Sequence, residues 1–413
     1  MADVEGRLRA AMEAAVASEQ PPGNLVELVR RRHRRHVKRA AAAGAASVAV
    51  VAVLIPAGSR VLGHGPRPAV GPRPASSTVY AEFQAKLTST LVPISAATNR
   101  PGKPIHVGGA LTVTPDGKTL YASPGAEIIP ISTATNKPGR PIHVAGYLTI
   151  APDGKTGYAS GNGAAIQIGA ASGRVTPVNL ATGKPGKPIR ACPLVGMIAL
   201  TPDGKTAYVS CPTIGPSTVI PIDTATDQPG KPIHVVPGGR EIAISPDGKT
   251  AYVLGVHSVT PISTATNTPG QPIHLGTDPT ALIAIAPDGK TAYVGAIGTV
   301  IPISTATNTP GRPIRIGAGV PAEEIVFTPD SKTAYVANEE GPTGRVVPIS
   351  VATSTAGKPI LVGVGTMITI TPDGKTVYAA AQNKVVPIST ATNTPGKPIR
   401  FSYGLAGAIL ATP

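Results

Sequence analysis

Eight tyrosines, Tyr80, Tyr121, Tyr158, Tyr208, Tyr252, Tyr293, Tyr335 and Tyr378, recur at intervals of 41, 37, 50, 44, 41, 42 and 43 residues. Each marks one copy of a repeated pattern, best formed at residues 198–236. A near-fixed period in this range means stacked supersecondary units, none able to bury its apolar face alone. Residues 77–413 are therefore one repetitive body.

Each copy holds four short apolar runs. The first resembles Ile242–Ser245 and leads into a PDGK turn, in which Pro presets φ, Asp bonds its own backbone and Gly supplies positive φ. The second run is T-A-Y-V, the third V-x-P-I, and the segment STATNTPG connects to a fourth, KPIHV. Hairpin connections make neighbouring runs antiparallel. Four such strands in about 40 residues are a propeller blade. With 3% aromatic residues and no Trp, the core has to come from Val, Ile, Ala and Thr, and β-branched residues favour strands. Bulky and small residues alternate in the first run, as in Ile283, Ala284, Ile285 and Ala286. This suits a sheet covered on both faces.

The repeat is permuted. It begins at a second run, 77–84, and stops at a first run, 407–413. The two fragments complete one blade, so the prediction is an all-β, eight-bladed propeller latched by pairing its last strand with its first. One feature opposes this. Pro93, Pro130, Pro177, Pro221, Pro261, Pro302, Pro348 and Pro387 fall inside third strands. Proline donates no ladder bond, which predicts a bulge or a shortened strand there.

Ahead of the repeats, residues 40–59 carry no charge and follow the basic run RRRHRRHVKR at 30–39. Twenty helical residues span about 30 Å, a bilayer core. Basic residues stay cytoplasmic. The expected order is a cytoplasmic tail with a short amphipathic helix (1–38), a transmembrane helix (39–59), a Pro/Gly linker (60–76) and the propeller (77–413) outside. A cleaved secretory signal is the competing reading. The 39 residues before the apolar run favour a retained anchor.

These residues resemble the YVTN family of β-propeller repeats from bacterial and archaeal surface proteins. The likeness rests on PDGKTAYV at 202–209 and on the downstream V-x-P-I-[SD]-T-A-T. Of the Asp that the family usually carries after the Ile, only Asp223 remains. The resemblance implies an extracytoplasmic propeller, and the anchor is similar to those of actinobacterial membrane proteins.

Chemistry is sparse. No G-x-S-x-G, Walker loop, H-E-x-x-H or paired CxxC is present. The PDGK aspartates repeat with the turn and serve it. His106, His143, His234 and His274 share one blade position, too far apart for a common metal. No metal, cofactor or catalytic residue is expected. Cys192 and Cys211 are the only cysteines and flank one hairpin of first and second runs, and in an exported domain a disulfide is expected.

The formal charge of +15 divides into +7 on residues 1–75 and +8 on the repeats. Without stacking aromatics in a nucleic-acid motif, nucleic acid is not the expected partner. Lys103, Arg140, Lys187, Lys231, Arg312, Lys358 and Lys397 recur between third and fourth runs, with Gln271 the exception. They predict a cationic rim on one face, suited to anionic envelope polymers or lipid head groups. Arg240, Glu241, Asp278, Glu323 and Glu324 precede or open first strands, near the expected channel mouth among variable loops. The expectation is a membrane-anchored binding module for a protein or cell-envelope polymer. The alternatives are a lactonase-like or quinone-dependent enzyme using the channel, and a transmembrane sensor acting through residues 1–38.

Overall fold

In the computed structural model each repeat forms one antiparallel sheet, and there are eight sheets. The structure describes residues 77–413 except 86–87, 162–172, 214, 278, 318, 341–342, 366 and 403. The expected tail, membrane span and linker lie outside the described residues. Among those described, no helix is long and apolar enough to cross a membrane. Blades are numbered here by their tyrosines, from Tyr80 in blade one to Tyr378 in blade eight.

Blade four shows the pattern. Its first three strands are Ile198–Leu200, Thr206–Cys211 and Ser217–Asp223, and the fourth comes in two pieces, Gln228–Pro229 and Ile233–Val235. Both pieces pair with the third strand. The first strands ring the axis, each packing on the first strands of its two neighbours. Leu405–Ala411 completes this inner ring and pairs antiparallel with Thr78–Ala85, so the chain's two ends share blade one. The latch rebuilds a turn without a covalent link. The Thr412 N–H donates to the Thr78 carbonyl at 2.9 Å, and the Thr412 hydroxyl accepts the Thr78 N–H at 3.0 Å. Thr114 does the same for Thr119 inside an ordinary PDGK turn.

The prolines do not interrupt the second-to-third ladder, contrary to the bulge predicted. Ala207, Tyr208 and Val209 pair in unbroken register with Ile222, Pro221 and Ile220. The interruption is in the fourth strand instead. Each proline's backbone faces outward, where its carbonyl accepts a glycine N–H, as from Gly230 to Pro221 at 2.7 Å. The absent proline donor falls at the gap between the two fourth-strand pieces, so no acceptor is left unpaired by it. Glycine lets the chain pass close to the proline at that gap. A Cβ on Gly230 would stand 3.1 Å from the Pro221 ring and 3.3 Å from its carbonyl oxygen.

There is no single core. Eight apolar clusters form, each drawing residues from two adjacent blades, such as Tyr208 and Val219 of blade four with Ile242 and Val253 of blade five. The latch junction is built alike, with Val79 and Ile409 of blade one against Tyr378 and Val385 of blade eight. Every repeat tyrosine is buried, and burial raises its pKa, to about 12 in Tyr80, Tyr208, Tyr335 and Tyr378. A buried hydroxyl needs a partner. The next blade supplies it from the connection between third and fourth strands. Tyr208 donates to Asn267 Oδ1 at 2.6 Å, and Tyr378 closes the circle on Asn99 at 2.6 Å. These asparagines have φ near +55°, a left-handed conformation that Asn tolerates.

Cys192 and Cys211 form a disulfide. It does not close a hairpin. Cys192 ends the fourth strand of blade three and Cys211 the second strand of blade four, so it staples two blades. Replacing both with serine removes a closed loop of 19 residues. The expected loss is about 3 kcal/mol on the loop-closure scale, read as a lower thermal midpoint that reductant reproduces in the parent. Tyr378→Phe is expected to cost about 1 kcal/mol in equilibrium denaturation. Tyr121→Phe should cost less, because its bond, to the Leu180 carbonyl, is 3.5 Å long.

Candidate functional site

Repetition separates scaffold from site. The PDGK aspartates are scaffold. Asp203 Oδ1 accepts the Thr201 hydroxyl at 2.6 Å and the Lys205 N–H at 3.1 Å. These bonds hold its carboxyl below the usual carboxylate range. Asp247 and Asp330 are held the same way.

At the opposite end of the inner strands, Glu241 and Glu324 occupy one register position on blades five and seven. Each pairs with the residue two beyond its blade's tyrosine, Leu254 and Ala337. Glu324 Oε2 accepts the N–H of Ile368, on the first strand of blade eight, at 2.7 Å. Desolvation outweighs that bond and pushes the carboxyl up to about 8. Glu323 sits at the register shift between Ala322 and Glu324 and is exposed. Arg240 is exposed, and its carbonyl accepts the Ser210 hydroxyl at 2.7 Å. The structure thus brings Arg240, Glu241, Glu323 and Glu324 to one end of the inner ring, on two non-adjacent blades. Asp278 lies outside the described residues. Tyr147, which opens the first strand of blade three, is 48% exposed at the same end.

The seven cations expected on one face lie elsewhere. Lys103, Arg140, Lys187, Lys231, Arg312, Lys358 and Lys397 are all exposed in the gap between the two fourth-strand pieces. The fourth strand is outermost, so they encircle the perimeter. The glycine–proline lock that breaks the strand is what presents them. Three residues further on, Arg190, Arg315 and Arg400 are also exposed. Each of the four equivalent histidines is exposed on its own blade. Among the described residues, no three His, Cys, Asp or Glu side chains are placed to hold one metal ion.

Sequence reasoning missed Glu82. It is fully buried two residues after Tyr80, where other blades carry Ser123, Ser160, Ser210, Leu254, Gly295, Ala337 and Ala380. Burial raises its pKa, offset in part by Ser89, the Gly109 amide and Gln84, yet neither oxygen has a well-aligned hydrogen bond. The signal was present as a departure from the repeat. Asn338 was missed too. It is fully buried and donates to the Ile316 carbonyl at 2.9 Å.

No family model matches this sequence, and no curated protein is significantly similar to it. The fold is similar to that of the dihydro-heme d1 dehydrogenase NirN in complex with DHE. The TM-score is 0.67 at 14% identity, over 84% of this chain and 79% of that one. It is also similar to apo AztD from Citrobacter koseri, with a TM-score of 0.62 at 15% identity, over 82% of this chain and 98% of that one. A eukaryotic initiation factor gives 0.54 at 13% identity, over 83% and 99%. At such identities the likeness establishes the β-propeller fold alone.

Glu324 sets a pH dependence. Its folded pKa, about 8, lies above the ordinary 4.5. The folded state therefore binds the extra proton between those values, and stability falls as pH rises through that window. Buried Glu82, also raised, acts with the same sign. Glu324→Gln keeps an acceptor for Ile368 and cannot ionise. It is expected to flatten the fall in thermal midpoint between pH 5 and pH 8 and to be more stable than the parent at pH 8.

Proposed function

We propose that this chain is a binding module, a propeller of the YVTN-like kind that attaches to an anionic polymer through its basic perimeter. In this reading residues 40–59 retain it at the membrane and the propeller lies outside the cytoplasm. The observation that carries the reading is the perimeter itself. Seven of the eight blades hold a Lys or Arg at the same gap in the outermost strand. A flexible polyanion meets such cations in succession, and modest single contacts add up along it. The charge-free segment 40–59 and its basic flank support the anchor. The inter-blade disulfide suits an oxidising compartment. The channel-enzyme reading rests on Glu324, whose raised pKa is of the kind acid–base groups need.

The test uses full-length protein in detergent and immobilised poly-L-glutamate. Retention is expected to fall steeply with salt, since exposed charges beyond about 10 Å are screened at 0.1 M. The triple variant Lys103→Ala, Arg140→Ala, Lys187→Ala is expected to weaken binding by about 100-fold at low salt, taking about 1 kcal/mol per cation near an anionic surface. Binding that ignores both salt and the triple variant would remove the perimeter from the account.

A further inference from the structure

Comparing the eight blade junctions shows two that are built differently. In six, a side chain on the third-to-fourth connection of the next blade caps the tyrosine hydroxyl. Asn136, Asp227, Asn267, Asn308, Asn393 and Asn99 do so for Tyr80, Tyr158, Tyr208, Tyr252, Tyr335 and Tyr378. At the seventh, between blades six and seven, Ser354 holds the position, and the Tyr293 hydroxyl has no well-aligned partner. At the eighth, between blades two and three, the position is Gly183, with φ 66°. Gly183 has no side chain with which to cap the hydroxyl. Tyr121 is 3% exposed, and its hydroxyl reaches the Leu180 carbonyl at 3.5 Å, at the limit of a hydrogen bond.

A groove of about 490 Å³ opens at this junction, lined in part by Thr114, Asp116, Tyr121, Asp153, Lys155 and Leu180. That volume lies in the range of small-molecule sites, roughly 300–1,000 Å³. Three features therefore coincide: a buried donor with a poor partner, a slot that the fold fills elsewhere, and a cavity in front of it.

The chemistry of the lining selects the occupant. The tyrosine hydroxyl calls for an acceptor in the place where Asn267 sets its Oδ1 for Tyr208. A carboxylate would supply one, as Asp227 does for Tyr158, but here it would meet Asp116 and Asp153 with Lys155 alone to offset them. Burial, and then the charge of Asp116, already push the Tyr121 pKa upward. A primary carboxamide answers both demands. Its carbonyl accepts from Tyr121, and its NH₂ donates toward the aspartates. It is also the group that the fold itself uses at five of the other junctions. We propose that the groove between blades two and three binds small molecules bearing a primary carboxamide, held by the Tyr121 hydroxyl that Gly183 leaves without a side-chain cap.

The experiment is NMR of full-length protein carrying ¹³C in its tyrosine rings. Propionamide and N-acetylglycinamide are the probes, and propionate is the carboxylate control. Both amides are expected to shift one ring resonance, assigned to Tyr121 by its loss in Tyr121→Phe. Propionate should move that resonance at least tenfold less. Gly183→Asn puts the fold's own carboxamide into the slot at a φ that Asn accepts, and its Cβ would stand 3.5 Å from Ile142, an ordinary contact. This variant is expected to abolish the response while raising the thermal midpoint, so loss of binding and loss of fold are told apart. Three results would overturn the proposal. One is no Tyr121 shift up to about 100 mM amide, beyond the millimolar affinity expected of so small a ligand. The others are an equal response to propionate and an undiminished response in Gly183→Asn.

Discussion

The ring depends on how each blade seals its tyrosine hydroxyl. The blades are made of small aliphatic residues, and the phenol is the largest side chain buried between them. It fills much of each junction and also carries a polar atom that burial penalises. The next blade resolves the conflict by turning an asparagine into the left-handed region and aiming its oxygen at the hydroxyl. The bond runs always from one blade to its successor. Only a closed circle gives the last tyrosine a partner, and Tyr378 finds Asn99. Ring closure thus satisfies a buried donor as well as a sheet edge.

That logic explains why no central core is needed. Eight clusters, one per junction, share the burial, and the latch cluster is assembled like the rest from Val79, Ile409, Tyr378 and Val385. Stability is then close to a sum of neighbouring interfaces. Such a ring is sensitive at whichever interface is weakest. Four places depart from the common form, one being the junction of blades six and seven, where Ser354 stands in for the asparagine. Blades three and four add a disulfide. Blades two and three lack the capping side chain. Blade one inserts the buried carboxyl of Glu82 beside the latch strand, where Glu82 pairs with Ala408.

The blade count, strand order and latch were legible because period, turn chemistry and the permuted ends all follow from local sequence. The register of the prolines was not. A single strand read alone says that Pro221 has no donor. Only the sheet shows that the missing N–H points at a break in the outer strand. The same break moved the cations. Lys231 and its equivalents follow the glycine that packs on the proline ring, so they project from the outer edge and not from a face. Glu241 opens its inner strand, and Glu324 lies third in its own. Sequence had no means to foresee that a neighbouring blade would desolvate Glu324 and bond it through Ile368.

In a repeat protein the informative residues are those that break the repeat. Positions shared by all copies are committed to making one junction like the next. Tyr208, Pro221 and Gly230 each serve the ring and have no freedom to do chemistry. A ligand site can therefore arise only where a copy departs from the rule and the ring tolerates the loss. Gly183 is such a departure, since it removes a cap at a junction where a groove opens beside the tyrosine. Glu82 is the reverse, since it adds a charge-bearing group where other blades have a small or neutral residue. Both were visible once the copies were aligned by their tyrosines. What alignment alone lacked was the partner across the junction, because each cap belongs to one repeat and each hydroxyl to the repeat before it.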